Sequence, residues 1–132
     1  MTIDVLAHFN NESYLNLETF RKNGSGVQTP VWFARDGERL YARTIVSSWK
    51  VKRLRRNLHA RIAPCDMRGN VHGPWVEAQV RLVPEDERAT IRHANAQLRK
   101  KYGLRRLWFD IIGIIQRRQF VILEIQATTA PE

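Results

Sequence analysis

The chain has 132 residues, 43% of them hydrophobic, with 22 Lys and Arg against 13 Asp and Glu for a net charge of +9. This length and apolar content exclude a disordered chain and fit one domain, residues 1–132, with a real core but no room for a second. The charge points to an anionic partner: nucleic acid, an acidic membrane or a phosphorylated ligand.

Near the N-terminus, 3–12 reads as a short helix, with no basic head and apolar run of the kind that marks a secretory leader. Three strands follow, 14–21, 27–35 and 39–46, and Val27, Thr29, Val31 and Phe33 alternate on one face of the second. Asn23-Gly24 and Asp36-Gly37 separate them, dipeptides that favour the positive φ of tight hairpins.

The segment 47–57 then crowds Lys50, Lys52, Arg53, Arg55 and Arg56 around Trp49, Val51 and Leu54. As a helix from Trp49 it buries Val51, Leu54 and Leu58, sets Lys50 and Arg53 on one edge, and takes Ser47 or Ser48 as N-cap. Lysines in a first helical turn oppose the positive end of the helix dipole, and no acid within the segment compensates. An anion bound at the helix start would reverse that balance, because free N–H groups, serine hydroxyls and a lysine together suit a phosphate. A solvated basic face is the plainer alternative.

Strands 58–63 and 75–83 come next, with Leu58, Ala60 and Ile62 on one face of the first and Val76, Ala78, Val80 and Leu82 on one face of the second. A looser connection, 66–74, joins them. The segment 84–103 reads as a helix opened by Pro84 and acidic residues and closed by Lys100, Lys101 and Gly103, with a stripe of Ile91, Ala94, Leu98 and Tyr102. A second helix is expected over 104–118. Its apolar window holds Asp110 and falls far short of the ~20 residues that span a bilayer. A last strand, 120–128, returns to the sheet, and six mostly antiparallel strands with few helices fit a small closed barrel.

Other chemistry is thinner. His8, His59, His72 and His93 lack metal-ligand spacing, so no metal is expected. Cys65, the single cysteine, reads as a buried strand-end thiol in a reducing, cytoplasmic setting.

The stretch TFRKNGSGVQTPVWFARDGERLYARTIVSSWKVKRLRRN, followed by IAPCDMRGNVHGPWVEA, resembles the pyridoxamine 5'-phosphate oxidase-like flavin and deazaflavin proteins. It is similar to their short subgroup described as coenzyme F420-dependent oxidoreductases. TPVWF, KVKRLRRN, APCD-RG and GPWVE occur in the same order, and the likeness covers Leu17 to Val83. Trp49 stands where these proteins often carry a small residue, and Leu58 where they often carry proline.

The resemblance implies a mostly β fold: a six-stranded antiparallel split β-barrel, FMN-binding type and Greek-key-like, forming a homodimer with the cofactor in a groove between barrels. Gln28, Thr29, Pro30, Val31 and Trp32 would run along the ring. Arg43, Thr44, Ser47, Ser48, Lys50 and Arg53 would hold the phosphate end, with Trp49 at the pocket mouth. The implied cofactor is FMN or the deazaflavin coenzyme F420, with haem behind them. The implied activity is hydride or electron transfer to a small acceptor. A non-catalytic cofactor- or haem-binding barrel is the first alternative. A nucleic-acid-binding barrel is the second, disfavoured because the positive residues are spread through the chain.

Overall fold

Alternating apolar residues pair into a sheet once a turn lets the next segment fold back. In the computed structural model, which describes residues 4–103 and 119–128, Tyr14–Phe20 (β1) and Gly26–Asp36 (β2) form such a hairpin. Leu15 stands opposite Val31 and Leu17 opposite Thr29. Arg39–Ile45 (β3) follows after only Gly37 and Glu38. Gly37 carries a φ of 63°, a conformation that strains any residue with a Cβ.

Trp49–Arg56 (α1), His59–Cys65 (β4), Val76–Leu82 (β5), Arg88–Tyr102 (α2) and Phe120–Ala127 (β6) complete the order. The helix expected over 104–118 lies outside the described residues.

The six strands close into one antiparallel barrel in the order β1-β2-β3-β6-β5-β4, with β4 pairing back to β1. This is the mostly β barrel expected from the alternation. Its interior holds Leu15, Leu17, Phe33, Leu40, Ile62, Val80, Leu123 and Ile125. Fully burying one such side chain contributes about 1.5–3 kcal/mol.

The register contains a split. β1 pairs with β2 over Gly26–Trp32, whereas β3 pairs with it only over Phe33–Asp36. The last residues of β3, Arg43 to Ile45, pair with β6 alone. Among the described residues, the second edge of Gly26–Trp32 therefore has no strand beside it.

Helix α1 closes one end of the barrel through Val51 and Leu54, both wholly buried. A 3-10 turn, Ala7–Phe9, covers the other, with Phe9 edge-on to Phe33 at 5.9 Å. Helix α2 lies along β2 and β3, burying Ala94, Leu98 and Tyr102, with Ile91 half-buried beside them. The Tyr102 ring stacks on Trp32 at 4.8 Å. Its hydroxyl donates to the Ser13 carbonyl at 2.7 Å and accepts from the Phe33 N–H at 2.9 Å.

Two local expectations are corrected. Leu58 is not buried with Ala60 and Ile62 but is 45% exposed. The helix stops at Arg56, and Asn57 turns extended, its side-chain oxygen accepting from the His59 N–H, so β4 begins only after Leu58. Helix α2 likewise starts at Arg88, four residues after Pro84, and its first turn holds no acid. Pro84 to Glu87 form a turn instead, closed by the Glu87 N–H on the Pro84 carbonyl. The Glu87 carboxylate is engaged by Arg81 and Thr90.

Candidate functional site

The end of β3 leads into α1 through a tight turn, in which the Ser48 N–H donates to the Ile45 carbonyl at 3.0 Å. Ser48 is the N-cap, yet its hydroxyl makes no capping bond. The Ser48 Oγ is buried and has no hydrogen-bond partner among the described residues. An unsatisfied buried hydroxyl costs about 1–3 kcal/mol.

Two residues on, Lys50 is half-buried and pairs with no carboxylate among the described residues. Burial, and then the Arg53 guanidinium, hold its ammonium below the usual lysine range. Arg53 sits one turn further along the same edge and donates Nε–H to Thr19 Oγ1 at 2.7 Å. Burial, then Arg21 and Arg56, lower it too. Crowded, desolvated cations disfavour their own charge, and a bound anion would remove that penalty.

On β3 the alternation sends Thr44 inward, where it is buried, and Arg43 outward, where its guanidinium lies 4.0 Å over the Phe120 ring. Burial lowers the Arg43 pKa. Ser47 is exposed. Trp49 is 72% exposed, with the Lys52 ammonium 4.3 Å over its ring.

The run from Gln28 to Trp32 divides by strand parity. Val31 and Thr29 face the barrel interior, following Phe33. Gln28, Pro30 and Trp32 face outward. Gln28 donates Nε2–H to Glu18 Oε2 at 3.3 Å, and Trp32 is held beneath Tyr102. Pro30 lies beneath the 66–75 connection, close to Gly69, whose carbonyl accepts from Asn16 Nδ2 at 2.9 Å.

The structure thus brings together Ser48, Lys50 and Arg53, and sets the outer face and open edge of early β2 on the other side of the split. It does not place all five β2 side chains on one surface. Thr19, Glu18 and Phe120 touch these residues and were not singled out by sequence; only the pairing register reveals them.

The remaining candidates have other partners. His59 lies 2.7 Å from Glu77, His72 lies 2.8 Å from Glu12, and His93 meets Asp36. Cys65 is buried at the end of β4, and burial, then Asp66 and Glu12, push its thiol up to about 11. Among the described residues no group of His, Cys, Asp and Glu is arranged to hold a metal ion, and no helix is long and apolar enough to cross a membrane.

No protein-family model matches the chain, and neither does any curated protein. Solved structures do. The heme storage protein from Vibrio cholerae superposes with a TM-score of 0.69 at 16% identity, over 91% of this chain and 84% of that one. A Listeria innocua protein provisionally described as a pyridoxamine 5'-phosphate oxidase gives 0.61 at 15% identity, over 95% and 91%. An F420 reductase gives 0.56 at 16% identity, over 98% and 97%. The chain has the split-barrel fold of the pyridoxamine 5'-phosphate oxidase-like proteins.

Proposed function

We propose that the protein is a cytoplasmic homodimeric oxidoreductase that binds a phosphorylated flavin-type cofactor, FMN or coenzyme F420, at the strand split. The observation that carries this reading is the start of α1. Among the described residues, a buried serine hydroxyl without a partner and a half-buried lysine without a carboxylate stand together there. Ser48, Lys50 and Arg53 fit a phosphate in charge and in donor type. Arg43, on the outer face at the end of β3, and Ser47, just past it, lie in the same stretch of chain, whereas Thr44 faces the interior. The likeness in fold to an F420 reductase supports a ring-bearing cofactor rather than a free phosphate.

The bound ring would supply the hydride or electron chemistry, and the protein its position and field. Lys50 and Arg53 fix the anionic tail. The open edge of Gly26–Trp32 offers backbone groups to the ring, and Gln28 and Pro30 give it a surface to lie along. Trp32, locked under Tyr102, sets the end of that surface. A second barrel facing the split would complete the groove and exclude water from it. No residue here is assigned to proton transfer.

Titration of the purified protein with FMN, coenzyme F420 and haem, followed by absorbance and fluorescence, tests the reading. Micromolar binding of FMN or F420, competed by inorganic phosphate, is the expected result. Binding of haem alone would replace this reading with a carrier or storage role, and binding of none of the three would overturn it.

A further inference from the structure

The outer side of α1 is strongly cationic. The segments 19–27 and 43–58 contain no Asp or Glu. They meet at one end of the barrel, because Arg53 bonds Thr19 and senses the charges of both Arg21 and Arg56. Arg21, Lys22, Lys52, Arg55 and Arg56 are all exposed there. None pairs with a carboxylate among the described residues.

Two exposed apolar side chains bracket these cations. Trp49, 72% exposed, opens α1, and Leu58, 45% exposed, follows its last residue by two positions. Trp49, Lys52 and Arg56 recur at helical spacing, so they form one crest. Val51 and Leu54 are wholly buried beneath it, so the helix cannot roll to hide the indole.

We propose that this end of the barrel docks on an anionic lipid bilayer, with Lys52, Arg55 and Arg56 at the phosphates and Trp49 and Leu58 at the level of the headgroups. Cations flanked by exposed aromatic and aliphatic groups match the layering of that interface, where an indole is favoured and long basic side chains reach the phosphates. Nucleic acid fits less well. One face of the indole is already covered by the Lys52 ammonium, the helix forms a ridge rather than a track for a strand, and a polynucleotide gives Leu58 no apolar medium. Lys52, Arg55 and Arg56 are not among the residues that hold the phosphate in the cofactor reading, so their charges can be changed separately from it.

Vesicle flotation at low salt tests it, comparing pure phosphatidylcholine with a mixture containing about one third phosphatidylglycerol, an anionic lipid. The protein should float with the anionic vesicles, remain behind with the neutral ones, and be released by high salt. Each cation near such a surface is worth about fivefold in partitioning, so Lys52→Glu/Arg56→Glu should lose well over tenfold. That variant should keep a urea midpoint close to the parent's, which confirms that it is folded. Trp49→Ala should weaken flotation and abolish most of the blue shift in tryptophan emission on vesicle addition. Equal binding to neutral vesicles, or parent-like flotation of the charge-reversed variant, would overturn the proposal. So would tight binding of a labelled oligonucleotide by a protein that ignores anionic vesicles, which would assign the ridge to nucleic acid.

Discussion

Lys50 and Arg55 lie on the same short helix and carry the same charge, yet they should not be equivalent. Lys50 is half-buried two residues from the Ser48 hydroxyl, which has no partner among the described residues, and Arg55 is exposed. Lys50→Ala should weaken FMN or F420 binding roughly ten- to a hundredfold, the worth of one charge-assisted phosphate contact, and Arg55→Ala far less. Equal losses, measured by fluorescence titration, would show a diffuse basic surface instead. Lys101 offers a separate test. Its ammonium lies 3.6 Å over the Phe33 ring, and burial lowers its pKa from 10.5 to about 8, against the opposing pull of Glu12. The unfolded chain therefore holds this proton more tightly, and stability should rise with pH between about 8 and 10.5. Cys65 has the opposite sign. Its raised pKa means stability is lost between 9.0 and about 11. Urea midpoints measured across this range in a Cys65→Ala background should rise with pH, and Lys101→Met should flatten the rise. That Ser48, Lys50 and Arg53 share one helix start was legible, because helix periodicity acts within one segment. The contacts with Thr19 and Phe120 were not, since they depend on which strands become neighbours.

Each helix is attached by few anchors, and each anchor can be removed. Leu54 is wholly buried at the junction of α1 and the barrel core. Leu54→Ala should cost about 2–5 kcal/mol, read as a lower urea midpoint. Because α1 also carries Lys50, cofactor affinity should fall with it. At the far end of α2, the Tyr102 hydroxyl joins two backbone groups from separate segments, Ser13 and Phe33. Tyr102→Phe should cost about 1–3 kcal/mol by leaving the Phe33 N–H unsatisfied, detectable as faster amide exchange at Phe33. The strands themselves were readable from alternation, and the first two hairpins from Asn-Gly and Asp-Gly. Helix ends were less so. Pro84 and its acids looked like a helix start, but Glu87 is claimed by Arg81 on the preceding strand, a competitor that the helix pattern itself does not contain. Leu58 failed for a related reason, since Asn57 breaks the chain direction just before the strand begins.

At the scale of the molecule, one barrel supplies only one wall of the proposed groove. The protein should sediment as a dimer at micromolar concentration, and a monomer that binds FMN tightly would contradict the shared groove. The barrel order also sets a schedule. Phe120–Ala127 is the bond between two strands made much earlier, joining Arg39–Ile45 on one side and Val76–Leu82 on the other. Until it arrives, both of those strands present bare edges, and the pairing of Ile45 with Phe120 must close a long loop. During synthesis, then, the ribosome releases a sheet that cannot seal until its sixth strand has cleared the exit tunnel. Nascent chains arrested before Phe120 should remain open to protease and bind holdase chaperones, and those carried past Ala127 by an appended C-terminal linker long enough to fill the tunnel should become resistant in a single step.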